Sequence, residues 1–340
     1  NKYKIIVLNK FLLKIVFFLK YYLNINLFFL LNPYISFFIK KYNFDIWHFN
    51  FLTFKSLILI NVLKDLNKKV IVTFQGADIQ IDKSINYGFR LNKKYDILLK
   101  QTLPKIDKFT YLSETIKNDL IELGIKDDKI FYFPNSVNLK KFEDCKVESD
   151  KDKKKLLNLI TVARFAEKKK GFDLIQEIVS KMMSKNINFK WKIIGENSKF
   201  LLNNQFIKSN PNLFDIISNI ENIEEEYFPH SDLIKHYKSS DLYINLSRIE
   251  SFGITFIESL ASKVPIVSFM AKGSNEIVID NYNGFIVNGN NLSEFVDKIY
   301  ELSQNKDVLF NMRKNCLETT KRFDLDLITN KLEKIYKELI

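Results

Sequence analysis

The stretch "SDLYINLSRIESFGITFIESLASKVPIVSF" at residues 240–269 decides how the whole chain is read. It holds two apolar runs of strand length, "DLYINLS" (241–247) and "VPIVSF" (264–269), with a helical pattern over 254–262 between them. Strand, turn, helix and strand in that order make the repeating unit of a parallel sheet with right-handed crossovers. The turn carries Glu250 and Glu258, eight positions apart around Gly253. One reading is a capped helix whose acidic residues suit its positive N-terminal end. The sharper reading is a turn that holds a ligand. Gly253 lets the backbone come close, and a helix starting at Ile254 or Thr255 offers free amides to an anion. Glu250 would repel a bare phosphate but suits the hydroxyls of a sugar joined to one. Glu258, a little over two helical turns on, suits a second set of hydroxyls such as a ribose diol. The pattern therefore favours a nucleotide sugar over a simple nucleotide.

The same alternation extends outward. Strand-like runs occur at 44–49, 70–74, 108–113, 129–134, 157–163, 189–195 and 284–288, with helical stretches at 114–123, 172–185 and 231–239. The polar segment "EDCKVESDKDKKK" (143–155) interrupts the alternation and reads as a connection. The expectation is an α/β protein of two doubly wound domains. Residues 1–148 form the first, completed by a terminal helical segment at 322–340, and residues 152–321 form the second. Ligands of such sheets sit beyond the carboxyl ends of the strands. At those ends stand Arg164 and the run Lys168, Lys169, Lys170, Gly171; then Gly195 with Glu196; then the opening motif; then Gly273 with Glu276. An Arg and a Lys together can clamp a diphosphate, the first as a planar fork and the second as a movable charge. Against this, a lysine run is ordinarily a solvated surface.

Composition sets the outer limits. The chain has 340 residues, 46% hydrophobic and 27% charged, which is globular and large enough for two cores. Cys145 and Cys316 lie far apart without metal-ligand or disulfide spacing, which points to a reducing, cytoplasmic compartment. His48, His230 and His236 do not form a ligand pattern. The net charge of +12 is uneven: residues 1–150 carry 24 basic and 15 acidic side chains, and no acid precedes Asp45. A basic, apolar amino-terminal region implies peripheral contact with an anionic membrane surface. No nucleic-acid motif accompanies the charge, so nucleic acid is not expected as a partner. Residues 11–39 are read as buried or surface-lying amphipathic helices, because asparagines, Pro33 and spaced lysines interrupt any membrane span.

With these residues in view, the chain resembles the retaining nucleotide-sugar glycosyltransferases of family 4. The resemblance runs from residue 44 onward through "VIVTFQGADI" (70–79), "YLSETIKNDLIELGIKDDKIFYFPNSVNLKKF" (111–142), "ARFAEKKKGFDLI" (163–175), the opening stretch with Glu250 and Glu258 as the E-x7-E pair, and "GSNEIVIDNYNGFIV" (273–287). It implies the GT-B fold, two facing Rossmann-like domains with a cleft, and transfer with retention to an acceptor hydroxyl in cell-surface polysaccharide or glycolipid synthesis. Carried over residue by residue, Arg164 and Lys170, or Lys169 in its place, would neutralise the donor diphosphate. Gly195 and the amides around Phe252, Gly253 and Ile254 would meet the donor, Glu250 its sugar and Glu258 its ribose. Ser274, Asn275 and Glu276 would line the nucleotide pocket.

In the first domain Gln75, Gly76 and Asp78 stand where the family often has His-Gly-x-Asp. Gln cannot titrate, which puts an acid/base role there in doubt, and Asp78 either orients an acceptor or shapes the turn. No glycine precedes Gly76, so the expected glycine-rich first loop is either missing from the start of the chain or built differently. Asp324-Leu325-Asp326 opens a helix, where acids serve the dipole. With the cationic pair available, no metal and no cofactor is expected. The donor is expected to be a UDP- or GDP-sugar and the acceptor a glycan or lipid-linked chain. Two alternatives stand beside this reading: a GT-B-fold nucleotide-sugar epimerase, and a non-catalytic module binding anionic surfaces.

Overall fold

The computed structural model describes residues 37, 39–42, 44–147, 156–166, 168–218, 225, 228–271, 273, 276–289 and 291–340. Most of the 11–39 stretch, the charged run 148–155, Ser274 and Asn275 lie outside the described residues. The chain divides into two units, the first drawn from Asn1–Tyr111, Asp119–Phe131 and Lys334–Ile340, the second from Leu112–Asn118 and Tyr132–Glu333.

The first unit contains β1 (Ile46–Phe49), α1 (Phe54–Asp65), β2 (Lys69–Thr73), α2 (Lys93–Thr102) and β3 (Lys108–Tyr111). α3 (Glu114–Glu122), whose residues up to Asn118 group with the second unit, and β4 (Ile130–Tyr132) follow. The strands lie in the order β1-β2-β3-β4, and β2 is parallel to both neighbours. Thr53 starts α1 through a reciprocal capping box: its hydroxyl accepts from Ser56 N, and Ser56 Oγ accepts from Thr53 N, both at 3.2 Å. Val70, Ile71 and Val72 are fully buried, which is the near-continuous apolar run of a strand covered on both faces.

A polar chain crosses this sheet. His48 Nδ1 meets the Tyr336 hydroxyl at 2.6 Å, and His48 Nε2 meets Thr73 Oγ1 at 2.7 Å. Thr73 in turn bonds Thr110 of β3. Burial lowers the His48 pKa from 6.5 to about 4. A base with a depressed folded pKa contributes stability that is present above its unfolded pKa and lost as pH falls through the folded one. Thermal melts should therefore show His48→Gln with a flatter pH dependence than wild type between 6.5 and about 4. The difference is worth about 2–3 kcal/mol. Parallel pH profiles for the two proteins would refute this account of His48.

The second unit opens with α4 (Leu139–Asp144) and continues with β5 (Leu157–Val162), α5 (Ile175–Ser184), β6 (Phe189–Ile194) and α6 (Gln205–Ser209). β7 (Phe214–Ile217), α7 (Ser231–Lys238), β8 (Leu242–Asn245), α8 (Ile254–Ala261) and β9 (Ile266–Phe269) follow. β10 (Gly284–Val287), α9 (Leu292–Gln304), α10 (Lys306–Thr320) and α11 (Leu325–Lys337) close it. The sheet order is β10-β9-β8-β5-β6-β7, every ladder parallel. From β5 the chain builds outward to β7, then returns to the other side of β5 with β8. That reversal makes the carboxyl ends of β5 and β8 a topological switch point, the place where open α/β sheets bind ligands.

Register explains the core. Leu157 pairs with Phe189, Leu159 with Trp191 and Thr161 with Ile193, so the bulky residues share one face. They pack with Ile178, Val179 and Met182 of α5 and with Phe295, Val296 and Ile299 of α9. Phe269 stacks on Phe295 at 4.4 Å.

Residues Tyr132 to 147 group with the second unit, and only Lys334–Ile340 of the terminal helix groups with the first. The reason is long-range pairing: Val137 N donates to Phe323 O and Leu325 N to Val137 O, each at 3.0 Å. Lys141 also pairs with Glu225 at 2.7 Å. Among the described residues no helix is long and apolar enough to cross a membrane.

Candidate functional site

Four strand ends of the second unit converge at the switch point. β5 runs into Arg164, an exposed side chain. The loop that follows brings Lys168, Lys169 and Lys170 back to the end of β8, where Arg248 N donates to Lys169 O at 3.0 Å. Arg248 fastens the same loop further. Its guanidinium donates to Lys168 O at 2.6 Å and makes a two-pronged pair with Asp173 at 2.7 Å. Gly171 permits this approach, since a Cβ there would lie 2.1 Å from Leu246 O.

Two of the chemistry-bearing side chains are in direct contact, and two more act on them through charge. Lys170 Nζ meets Glu250 Oε2 at 2.6 Å, with both side chains about one-fifth exposed at 20% and 17%. Lys169 has its pKa lowered, first by burial and then by the positive charge of Lys170; Glu250 opposes the shift and Arg164 adds to it. Arg164, Lys169, Lys170 and Glu250 thus form one electrostatic cluster. Lys170 is the lysine in direct contact with Glu250, and both lysines are partly buried.

Gly253 caps α8 in the left-handed region at φ 87°. The first turn of any helix leaves its amides without intrahelical acceptors, so Ile254 and Thr255 present N–H groups at the helix start. Phe252 is fully enclosed and meets Phe323 edge-on at 5.5 Å. Its side chain belongs to the core, and only its main chain is available to a ligand. Gly195 follows β6 beside Ala163 and Arg164, which carries the backbone of that loop against the end of β5.

Glu258 occupies a different environment from Glu250. It is 1% exposed, whereas the sequence placed both acids alike around the turn. α8 is apolar on most of its surface and therefore buried on most of it, and Glu258 goes inward with Phe256, Ile257 and Leu260. Glu258 Oε2 accepts from the Tyr237 hydroxyl at 2.9 Å, while Oε1 is enclosed without a hydrogen-bond partner. Burial raises the Glu258 pKa from 4.5 to about 7, against the lowering effect of the Tyr237 bond. An enclosed, half-satisfied carboxyl group is the kind of feature that accumulates at functional sites.

After β9, Gly273 lies against the backbone of the Glu250 turn. A Cβ there would stand 2.5 Å from Ser251 O and 2.7 Å from Glu250 O, and its φ of +85° already disfavours a side chain. Gly273→Ala should therefore push Glu250 away from Lys170, at a backbone cost of about 1–2 kcal/mol. The expected readout is a melting temperature lowered by a few degrees and ligand affinity reduced about tenfold. Wild-type affinity would show that the Glu250 position tolerates displacement. Beyond Gly273, Glu276 is half-buried and accepts from Glu114 N at 2.7 Å, with Arg322 donating to its carbonyl. Its pKa is raised by burial.

In the first unit Asp78 is fully buried and accepts from Leu52 N at 3.0 Å, Gln75 N at 3.0 Å and Gly76 N at 2.9 Å. Burial pushes its pKa up to about 6. These bonds assign Asp78 to shaping the turn. Gln75 and Gly76 lie on that turn, immediately after β2 and Phe74. Two residues of the second unit, Tyr237 and Arg248, escaped the sequence reading. A tyrosine in an amphipathic helix reads as core, and an arginine beside the motif reads as surface.

Residues 141–323 match the family Glycosyl transferases group 1, and residues 10–141 match Glycosyltransferase Family 4. An uncharacterized glycosyltransferase of Methanocaldococcus jannaschii is 28% identical over 270 residues, covering 79% of this chain and 68% of its own. Alpha-monoglucosyldiacylglycerol synthase of Acholeplasma laidlawii is 27% identical over 225 residues, covering 63% of this chain and 54% of its own. The chain thus spans between 54% and 68% of the length of these relatives. Among solved structures, a glycosyltransferase from Rickettsia africae ESF-5 superposes with a TM-score of 0.68 at 25% identity, covering 91% of this chain and 80% of that one. The two Rossmann-like units with parallel sheets are those of the GT-B fold.

Proposed function

Because the chain belongs to the family Glycosyl transferases group 1, we propose that it moves a sugar from a nucleotide diphosphate sugar to an acceptor hydroxyl with retention at the anomeric carbon. The observation that carries this reading is the Lys170–Glu250 pair just before the start of α8, with the charges of Arg164 and Lys169 close enough to act on one another. A diphosphate fits the cations and the helix amides, and a sugar hydroxyl fits the carboxylate. As the glycosidic bond breaks, negative charge builds on the departing diphosphate. In this reading Arg164, Lys170 and the α8 amides meet that charge, and preorganised donors of this kind supply much of a transferase's rate. Glu250 holds the donor sugar, and Glu258 receives the ribose. Glu276 lines the nucleotide pocket in this reading.

The acceptor is taken to be a lipid-linked or glycan chain bound on the side of Gln75 and Gly76. The excess of basic residues in the first 150 suits a peripheral position on an anionic cytoplasmic membrane face. The reading invokes no metal, because Arg164 and Lys170 would supply the positive charge a diphosphate needs. The test is a thermal-shift and hydrolysis screen against UDP-, GDP-, ADP- and dTDP-sugars, run with and without EDTA. One donor class should raise the melting temperature and be turned over equally in both conditions. A protein that binds no nucleotide sugar, or turns one over only with a divalent ion, would contradict the reading in its first or its last part.

A further inference from the structure

Tyr237 lies near the end of α7 with its ring fully enclosed, and its hydroxyl donates to Glu258 Oε2. We propose that Tyr237 is a positioning residue for nucleotide recognition, fixing Glu258 by one carboxylate oxygen so that the other accepts from a ribose hydroxyl. The inference rests on the nucleotide-sugar reading of the site and extends it to a residue that touches no ligand.

Three observations carry it. First, Oε1 of Glu258 is enclosed and has no hydrogen-bond partner, although buried acceptors are nearly always satisfied. Second, the aromatic ring packed on Tyr237 reaches the switch point. Tyr237 packs on Tyr243 at 6.1 Å, and the Tyr243 hydroxyl meets Thr255 Oγ1 at 2.8 Å and Val162 O at 3.2 Å. Val162 ends β5 just before Arg164, and Thr255 lies in the first turn of α8. Third, a phenylalanine would fill the place of the Tyr237 ring, so the hydroxyl is explained by the carboxylate it holds. A carboxylate restrained at one oxygen loses less freedom when the other accepts a hydroxyl, which is the affinity gain of preorganisation. The ligand chemistry follows from the acceptor: a carboxylate repels phosphate and accepts from hydroxyls, which selects a ribose diol.

The experiment compares binding of UDP and GDP with their 2′-deoxy and 3′-deoxy analogues by calorimetry. It uses wild type, Tyr237→Phe, Glu258→Gln and the double variant, with donor kinetics and melting temperatures alongside. Wild type should prefer the ribonucleotide over at least one deoxy form by about tenfold, the scale of one hydrogen bond to a charged group. Tyr237→Phe should weaken ribonucleotide binding about tenfold, shrink that preference and raise KM for the donor with kcat held within about twofold. The double variant should bind like Glu258→Gln alone, since Tyr237 acts through Glu258. Tyr237→Phe with wild-type affinity and preference, or with kcat lowered as much as KM is raised, overturns the positioning role and leaves the nucleotide-sugar reading intact. Additive losses in the double variant do the same. Wild type binding ribo and deoxy forms equally, with Glu258→Gln unchanged, overturns the inference through Glu258 itself. Failure of wild type to bind any of these nucleotides overturns the inference together with the proposed function.

Discussion

Alanine in place of Arg164 or Lys170 is expected to lower kcat about 10²–10³-fold, the usual loss when one preorganised donor to a developing negative charge is removed. The fold should survive both changes. Arg164 is exposed, and substitutions at exposed sites usually shift stability by no more than about 0.5 kcal/mol. Lys170 gives up a partly exposed ion pair with Glu250, a class of contact worth about 1 kcal/mol or less. The measurement is single-turnover transfer with the donor found by screening, with melting curves recorded in parallel. Lys169→Ala serves as the internal comparison, because Lys170 is the lysine that touches Glu250. Turnover at the wild-type rate in Arg164→Ala would remove the diphosphate role from that residue. A larger loss in Lys169→Ala than in Lys170→Ala would transfer the role between the lysines.

The second large effect runs against the usual direction of a site mutation. Glu258→Gln should stabilise the protein at pH 8 in the absence of nucleotide while weakening nucleotide binding. Burial raises the Glu258 pKa from 4.5 to about 7. For an acid whose folded pKa lies above its unfolded one, the unfolded chain gives up its proton first as pH rises. The stability this group contributes is therefore full below 4.5 and lost as pH rises through about 7. The loss amounts to about 3 kcal/mol, and glutamine does not incur it. Melting temperatures should separate by several degrees at pH 8 and converge near pH 5. Saturating ribonucleotide should then narrow the gap at pH 8 by stabilising wild type alone. A glutamine variant that melts below wild type at pH 8 would show that the enclosed carboxylate is satisfied in a way its hydrogen bonds do not reveal.

Much of this architecture could be read before any coordinates, for a physical reason. Strands covered on both faces need unbroken apolar runs, and "VIVTF", "LNLITVA" and "VPIVSF" supply them. Because doubly wound sheets bind ligands at strand ends, Arg164, the lysines, Glu250 and Gly273 could be nominated from position alone, and the second unit brings them together. β7 went unread. "FDII" is a four-residue edge strand with an aspartate inside it, too short and too polar to stand out. The pairing of Val137 with Phe323 and Leu325 also escaped, since it joins segments almost two hundred positions apart.

The different surroundings of the two glutamates were illegible for a related reason. Glu250 precedes Gly253 and Glu258 follows it, so their eight-residue separation crosses a turn whose φ reverses the chain. Sequence separation then says nothing about facing. The hydroxyl that distinguishes Tyr237 from any other core aromatic had no visible signal at all.

Lys170 and Glu250 already answer each other's charge. A ligand that brings only a diphosphate recruits the ammonium and leaves the carboxylate without its counterion. One that brings a sugar as well would give both groups new partners at once. Under the proposed function, an intact donor would thereby be preferred to its own spent remnant, and the resting contact would bias exchange toward fresh substrate.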